Sequence, residues 1–148
     1  MPDFSIRPAT SADLAALAAV ELASFEEPWT AQSVAGYWAA PGARAWIAEA
    51  ADGQPVGSAL FRVVVDEAEL LRIGTAPAWR RRQVALGLLV AALAELDHEA
   101  VDTFLEVRAD NLPAQELYRR LGFEFAGRRP KYYSDDCDAW LCLRAARR

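Results

Sequence analysis

The sequence contains few of the residues on which metal sites and nucleophilic active sites commonly depend. Among its 148 residues there are one histidine, His98, and two cysteines, Cys137 and Cys142. One histidine is too few for a histidine-based metal site, and it argues against a histidine-containing catalytic triad. The two cysteines lie close together near the C-terminus, without the spacing of metal ligands. We therefore expect a metal-free protein that is long enough to bury its core without disulfide bonds.

The chain also lacks the features of a membrane-bound or secreted protein. No apolar run is long enough to cross a bilayer, and residues 1–7 show no signal-peptide pattern. These absences predict a cytoplasmic protein that has no membrane partner.

Positive charge is scarce overall but concentrated in one part of the chain. The net charge of −5 at pH 7 argues against nucleic acid as a partner, because nucleic-acid-binding proteins normally present a basic surface. Near the middle of the chain, however, stand Arg72, Arg80, Arg81 and Arg82. A local basic patch on an acidic protein suits a small polyanion better than a long one.

Strand and helix patterns alternate along the chain. Strands are predicted at residues 4–8, 45–49, 56–65 and 69–75, with a fifth from Thr103 and two more after Phe123. Helices are predicted after the capping residues Thr10 and Thr30, from about Val84 to about Leu96, and from Asp110 or Asn111 to Gly122. Gly57 is expected to mark a bulge or bend. Without repeats or linkers, the pattern predicts one α/β domain over residues 1–148, built on a mixed sheet.

The stretch from Thr103 to Phe123 contains two residues that are unusual for a protein core. Glu106 is a carboxylate among strand hydrophobes, and Tyr118 lies on the apolar face of the following helix. Each has an ordinary explanation, since Glu106 can reach solvent and the Tyr118 hydroxyl can bond to backbone. Taken together, the carboxylate and the phenol suggest a pair that handles protons.

The segment Arg80–Ala85 joins the fourth strand to the long helix and is a candidate phosphate site. The first N–H groups of a helix have no partner within it, and the helix dipole adds partial positive charge there. Arginines beside the turn add full charges and bidentate hydrogen-bond donors. The alternative is a solvated basic turn that binds no ligand.

Three short segments resemble a known family. Leu105-Glu-Val-Arg108, then Asn111, then Leu117-Tyr-Arg-Arg-Leu-Gly-Phe123 resemble the second half of a GNAT-superfamily N-acetyltransferase. Within that superfamily the sequence is most similar to RimI, the ribosomal-protein-alanine N-acetyltransferase family, and the resemblance covers nearly the whole chain. It implies the GNAT acyl-CoA N-acyltransferase fold, with a mixed central sheet of about seven strands flanked by about four helices.

The resemblance also implies an activity. The protein would be an N-acetyltransferase that moves the acetyl group of acetyl-CoA to a primary amine. The first choice of acceptor is the N-terminal α-amine of a protein, typically alanine on a ribosomal protein. A small amine or a lysine side chain is an alternative acceptor, and a non-catalytic acyl-CoA-binding module is an alternative of another class.

Residue roles follow from the same resemblance. Glu106 would be the base for the attacking amine, and Tyr118 the acid for the CoA sulfur. The oxyanion would be stabilised by backbone N–H groups where the family's sheet splays open. The residues expected to contact acetyl-CoA are Ile73, Gly74, Thr75, Arg80, Arg81, Arg82, Gln83, Val84, Ala85, Asn111 and Tyr118.

A second set of residues is expected to border the acceptor. Its members are Pro28, Trp29, Glu106, Tyr132 and Tyr133. Packing between two helices is an equal alternative for the tryptophan, and a plain surface hairpin is an equal alternative for the two tyrosines. Acidic residues on the same two loops, which could attract a basic N-terminal tail, are Glu26, Glu27, Asp135, Asp136 and Asp138.

One position departs from the family pattern. The family has Arg/Gln-x-x-Gly-x-Gly/Ala, whereas this chain reads Arg80-Arg-Arg-Gln83-Val-Ala85. Glycine lets the backbone approach a phosphate closely, whereas a glutamine side chain either obstructs the pyrophosphate or turns aside and donates to it. We expect acetyl-CoA to bind, but more weakly than it would bind a Gln83→Gly variant.

Overall fold

The computed structural model describes residues 3–147 and has a seven-stranded sheet with helices on both faces. The strands are β1 (Phe4–Pro8), β2 (Ala43–Ala50), β3 (Pro55–Val64), β4 (Glu67–Thr75), β5 (Asp102–Arg108), β6 (Glu124–Arg129) and β7 (Ala139–Arg144). The helices are α1 (Leu14–Ser24), α2 (Ala31–Ala39), α3 (Val84–His98) and α4 (Leu112–Arg120). The predicted α/β architecture is confirmed.

The predicted capping residues Thr10 and Thr30 cap a short 3-10 turn before α1 and the start of α2, respectively. The Asp13 carboxylate accepts a hydrogen bond from the backbone N–H of Thr10 at 2.7 Å, at a short 3-10 turn that leads into α1. The Thr30 hydroxyl accepts from the backbone N–H of Ser33 at 3.0 Å. These bonds satisfy N–H groups that a helix start leaves without partners. Among residues 3–147, no helix has the length and apolar character needed to span a membrane.

The strand order is β1-β2-β3-β4-β5-β7-β6. The strands from β1 to β4 form an antiparallel meander, and β7 lies antiparallel between β5 and β6. Parallel pairing occurs between β4 and β5, which are joined through α3. A parallel pair needs such a crossover, because a tight turn can only reverse the chain.

The two faces of the sheet hold separate hydrophobic clusters. One cluster includes Leu17 of α1 and Val34 of α2, and we call this side the α1–α2 face. The other cluster includes Leu88 of α3, Leu105 of β5 and Tyr118 of α4, and we call this side the α3–α4 face. Residues that alternate along a strand therefore point to different helices and different chemistry.

The strands β4 and β5 separate soon after they begin. Their pairing ends with Glu69 opposite Phe104, although β4 continues to Thr75 and β5 to Arg108. The opening that the family resemblance led us to expect is therefore present, and it lies between the two central strands.

A bulge in β4 lies next to this opening. The register of β4 against β3 shifts between Leu60 and Phe61, which leaves Leu71 outside the pairing. A bulge bends its strand and increases the local twist. The bend supplies a physical reason for β4 to leave β5 at this point.

The irregularity expected at Gly57 is present. Ala48 of β2 pairs with Gly57 and Glu49 pairs with Pro55, which leaves Val56 outside the pairing. Gly57 also serves close packing, because a Cβ atom there would lie 2.7 Å from Cγ1 of Val84 in α3. The helix α3 runs on to His98, later than predicted.

Candidate active site

A cavity of about 400 Å³ separates the start of α3 from α4. Six of the predicted cofactor contacts line it, namely Thr75, Arg80, Arg81, Gln83, Val84 and Ala85. The opposite wall is formed by Pro113, Leu117 and Arg120 of α4. The arginine turn and the last helix, which are distant in sequence, therefore meet at one cleft at the end of β4.

Two residues of the arginine turn have left-handed backbone conformations. The φ angle is +64° at Arg81 and +63° at Gln83, which is the N-cap residue of α3. Glycine adopts this conformation at the lowest cost, so the glycine of the family pattern has a conformational reason as well as a steric one. The N–H groups of Val84 and Ala85 have no acceptor within the helix, so a ligand can accept from them.

The three arginines of the turn have different surroundings. Arg80 donates hydrogen bonds to backbone carbonyl groups, including that of Ser24 at 3.0 Å. Arg82 lies over the ring of Trp79, with its guanidinium carbon 4.8 Å from the ring centroid. Arg81 lines the cavity. The turn therefore offers a phosphate backbone N–H groups and unevenly available side-chain charge.

The loop between α1 and α2 is fastened to β4 by a buried ion pair. Glu21 is fully buried and accepts hydrogen bonds from Nη2 of Arg72 at 2.7 Å and from the backbone N–H of Trp29 at 2.8 Å. The Arg72 guanidinium carbon also lies 4.0 Å from the centroid of the Phe25 ring. The grouping of Arg72 with the arginine turn is wrong, because its charge is neutralised on the α1–α2 face.

This loop brings the predicted acceptor residues Pro28 and Trp29 beside the sheet. Gly74 makes room for the loop, since a Cβ atom there would lie 2.7 Å from Cε2 of Phe25. The rings of Trp29 and Tyr37 have centroids 5.8 Å apart, so packing between α1 and α2 accounts for the position of the tryptophan. Contact between this loop and an acceptor stays a prediction.

Glu106 lies on the α1–α2 face of β5, and its side chain is 14% exposed. Its Oε2 atom is buried and has no hydrogen-bond partner among the described residues, although Nε of Arg129 lies 3.2 Å away. A short distance without a hydrogen bond means that the guanidinium N–H is not aimed at the oxygen. The contact is electrostatic, and the carboxylate keeps an unused acceptor.

A phenol and a second carboxylate are neighbours of Glu106. Burial and, second, the negative charge of Glu106 raise the pKa of Tyr132. The same two causes, in the same order, raise the pKa of Glu69. Nothing in the sequence distinguishes Glu69, because it is only the first residue of the predicted strand at residues 69–75.

Tyr118 lies on the opposite side of β5 from Glu106, on the α3–α4 face. Its ring packs edge-on against Phe123, with centroids 5.6 Å apart. Burial raises the pKa of Tyr118 to about 12, so the phenol stays protonated at neutral pH. Tyr37 is an example of a purely structural core tyrosine, because its hydroxyl donates to the backbone carbonyl of Phe61 at 2.5 Å.

Tyr133 is the residue that links the two sides. Tyr133 is the third cause of the raised pKa of Tyr118, and only burial and the Cys142 thiol contribute more. The charge of Glu106 is the third cause of the raised pKa of Tyr133, and only burial and Tyr132 contribute more. Both members of the predicted proton-handling pair are thus near one phenol, where β4 and β5 have separated.

Acidic residues of the segment between β6 and β7 are partly engaged with their neighbours. Asp135 accepts a hydrogen bond from Nη2 of Arg108 at 2.6 Å, and Asp138 accepts from the backbone N–H of Lys131 at 2.9 Å. These contacts reduce the charge that the two aspartates could offer a basic tail. Glu26 remains exposed on the α1–α2 loop.

The remaining predicted contacts lie at element ends and strand edges. Asn111 is the N-cap residue of α4, and its Oδ1 atom accepts from the backbone N–H of Ala114 at 3.2 Å. Ile73 and Gly74 belong to the part of β4 beyond its pairing with β5, so the edge of β4 that faces β5 is open there. Contact of these residues with a cofactor stays a prediction.

Comparisons with known proteins point to one family. Residues 14–123 match the model of the acetyltransferase (GNAT) family. A Bacillus subtilis (strain 168) protein, named provisionally as a ribosomal protein bS18-alanine N-acetyltransferase, is 30% identical over 126 residues, or 84% of this chain and 83% of that protein. The ribosomal protein bS18-alanine N-acetyltransferase of Escherichia coli (strain K12) is 40% identical over 83 residues, or 55% of this chain and 56% of that protein. A crystal structure of the ribosomal-protein-S18-alanine N-acetyltransferase from Escherichia coli superposes with a TM-score of 0.90 at 29% identity, covering 98% of this chain and 95% of that one.

Proposed function

The chain belongs to the acetyltransferase (GNAT) family, and on that premise we propose that it acetylates the N-terminal α-amine of a protein, with acetyl-CoA as the donor. The relatives named for ribosomal protein bS18-alanine acetylation support this choice of acceptor. A protein N-terminus that begins with alanine, such as that of a ribosomal protein, is therefore the first substrate to test.

The cleft between α3 and α4 fits the anionic part of acetyl-CoA. Backbone N–H groups at Val84 and Ala85 and the guanidinium of Arg81 are donors on the side where the helix dipole favours negative charge. The open edge of β4 at Ile73 and Gly74 would bind the arm that reaches toward the sheet opening. When bound, acetyl-CoA supplies the acetyl thioester.

The described residues can then perform three tasks. Glu106 would accept the proton of the attacking amine, directly or through water, because an α-amino group has a reference pKa near 8 and needs only a modest base. Backbone N–H groups of β4 near Ile73 or Gly74 would donate to the carbonyl oxygen as it gains negative charge. Tyr118 would give its proton to the departing sulfur and recover one from solvent. Attack is direct, and no covalent enzyme intermediate is invoked.

One observation carries the proposal more than any other. Pairing between β4 and β5 ends at Glu69 and Phe104, and this opening lies between the face that holds Glu106 and the face that holds Tyr118. An acceptor and a donor can therefore approach from opposite sides of the sheet and meet at the gap.

The decisive experiment uses acetyl-CoA with three versions of one alanine-initiated peptide that contains an internal lysine. The first version has a free N-terminus, the second an acetylated N-terminus, and the third a free N-terminus with the lysine blocked. Mass spectrometry should show transfer to the first and third peptides and none to the second. Transfer to the second peptide would identify a lysine acetyltransferase. Binding of acetyl-CoA without transfer to any amine would identify a non-catalytic module.

A further inference from the structure

Glu69 occupies a special position in the sheet. It is the last residue of β4 that pairs with β5, where it lies opposite Phe104, and it pairs on its other side with Arg62 of β3. Because side chains alternate along a strand, Phe104 and Glu106 share a face of β5, opposite to that of buried Leu105. Glu69 therefore stands next to Glu106 on the α1–α2 face, at the point where the strands separate.

The arginines near Glu69 and Glu106 do not fully offset burial and the repulsion between the two carboxylates. Arg62 and Arg129 lie near Glu69 and favour its charged form, yet burial and the charge of Glu106 outweigh them and raise the pKa of Glu69. The Oε2 atom of Glu106 also retains an unused acceptor in a buried position. A further cation at this place would satisfy that acceptor and offset the repulsion between the two carboxylates.

Open space lies beside Glu69, on the side away from Glu106. A cavity of about 450 Å³ on this side of the sheet is lined by Arg62, Glu69 and Phe104, among others. The side chain of Tyr132, whose raised pKa reflects burial, Glu106 and more weakly Glu69, borders the same two carboxylates. The surroundings of Glu69 are thus acidic and partly buried, with the half-exposed phenol of Tyr132 nearby.

We propose that Glu69 binds the ammonium group of the acceptor together with Glu106, before the amine gives up its proton. The inference rests on the proposed function and adds a residue that recognises the substrate. An N-terminal amine with a reference pKa near 8 is mostly protonated at pH 7, so a site for the ammonium form raises occupancy of the acceptor. Glu106 then takes the proton, whereas Glu69 stays in place and holds the nitrogen.

The test compares binding of a free and an N-terminally acetylated alanine-initiated peptide to the protein loaded with CoA, at pH 7, by calorimetry. In the native protein the free peptide should bind more tightly, because only it carries an ammonium group. Glu69→Gln should weaken the free peptide about tenfold and leave the acetylated peptide within about twofold, as expected for loss of one charge-assisted contact. In turnover assays the same variant should raise the KM for the peptide about tenfold, with kcat changed less than about threefold.

Glu124→Gln is the matched control, since it removes the same charge from an exposed position on β6. Thermal unfolding of both variants checks that the sheet is intact, and Glu69→Asp should recover part of the preference for the free peptide. If the native protein prefers the free peptide and Glu69→Gln keeps that preference, Glu69 is only a strand carboxylate that pairs with Arg62. The inference about Glu69 then fails, while the proposed function stands. If the native protein shows neither preference nor transfer, the proposed function fails with it.

Discussion

The two ends of the candidate active site use different parts of the polypeptide. At the arginine turn, the groups available to a ligand are mainly the first backbone N–H groups of α3, which follow the left-handed residues Arg81 and Gln83. At the proposed acceptor end, the available groups are side chains, namely Glu106 and the phenols around it. We expect an end built from backbone to tolerate substitution better than an end built from buried side chains.

Removing either member of the proton-handling pair should have the largest effect and would test this contrast directly. Glu106→Gln and Tyr118→Phe should each lower kcat about a hundredfold, because positioned acid–base groups contribute on that scale. Steady-state kinetics with an alanine-initiated peptide measures the effect. Tyr37→Phe is the matched control, because it loses a structural hydrogen bond to Phe61 and should lower stability while leaving kcat within about twofold.

Thermal melts establish that these variants are folded. A loss below about tenfold for both Glu106→Gln and Tyr118→Phe would remove them as catalytic residues, because proton transfer by a positioned group is worth more than that. The acceptor end would then tolerate substitution as well as the arginine turn is expected to.

The second prediction concerns the buried ion pair that fastens the α1–α2 loop. Glu21→Gln should lower the free energy of unfolding by about 3 kcal/mol, because the guanidinium of Arg72 would lose the carboxylate that compensates it. Urea unfolding measures the loss. Glu116→Gln breaks an exposed pair with Arg119 and should leave the free energy of unfolding almost unchanged. Equal losses from the two substitutions would show that the buried ion pair of the α1–α2 loop contributes no more to stability than an exposed one.

The third prediction concerns Gln83 and is smaller. Gln83→Gly should bind acetyl-CoA roughly threefold more tightly than the native protein, because glycine removes both the left-handed strain and the side chain. Calorimetry measures the affinities, and Gln83→Ala separates the two causes, since alanine removes the side chain but keeps the strain. Equal or tighter binding by the native protein would mean that the glutamine donates to the ligand, and that the turn depends on its side chains after all.

The last prediction is the absence of a change with pH. Burial raises the pKa of Tyr118 to about 12, whereas a phenol in solution titrates at 10.0. The protonated acid should therefore persist as pH rises, and kcat should stay level from about pH 8 to about pH 10.5. If kcat fell with a midpoint near the solution pKa of 10.0, and Tyr118→Phe showed no such fall, Tyr118 would be more exposed to water than the structure implies.

Local features of this protein could be predicted from short stretches of sequence. Thr10, Thr30 and Asn111 cap helices where they were expected, and Gly122 ends α4 with a φ of +95°. These outcomes depend on hydrogen bonds and backbone angles within a few residues, so neighbouring residues suffice to determine them. The pairing of Glu106 with Tyr118 as candidates came from an ordered motif, and the structure adds that they lie on opposite faces of one strand.

Other features depend on contacts between distant segments. Glu21 and Arg72 are separated by 51 positions, and the register that places Glu69 beside β5 follows from a crossover through α3. Arg72 was misassigned for this reason, because proximity in sequence to the arginine turn says nothing about which face of β4 a side chain takes. Glu21 follows Leu17 by four positions, so it lies on the apolar side of α1. This spacing was the one sign in the sequence that Glu21 would be buried.

By itself, the sequence determined the order of the helices and strands, which family the chain resembles, and which residue types are available for acyl transfer. The tertiary structure decided which charges meet, because strand order, the β4 bulge and the separation of β4 from β5 bring Glu69, Glu106 and Tyr132 together. It also raised the pKa values of Glu69 and Tyr132, since burial is a property of the packed chain and cannot be assigned to any residue alone.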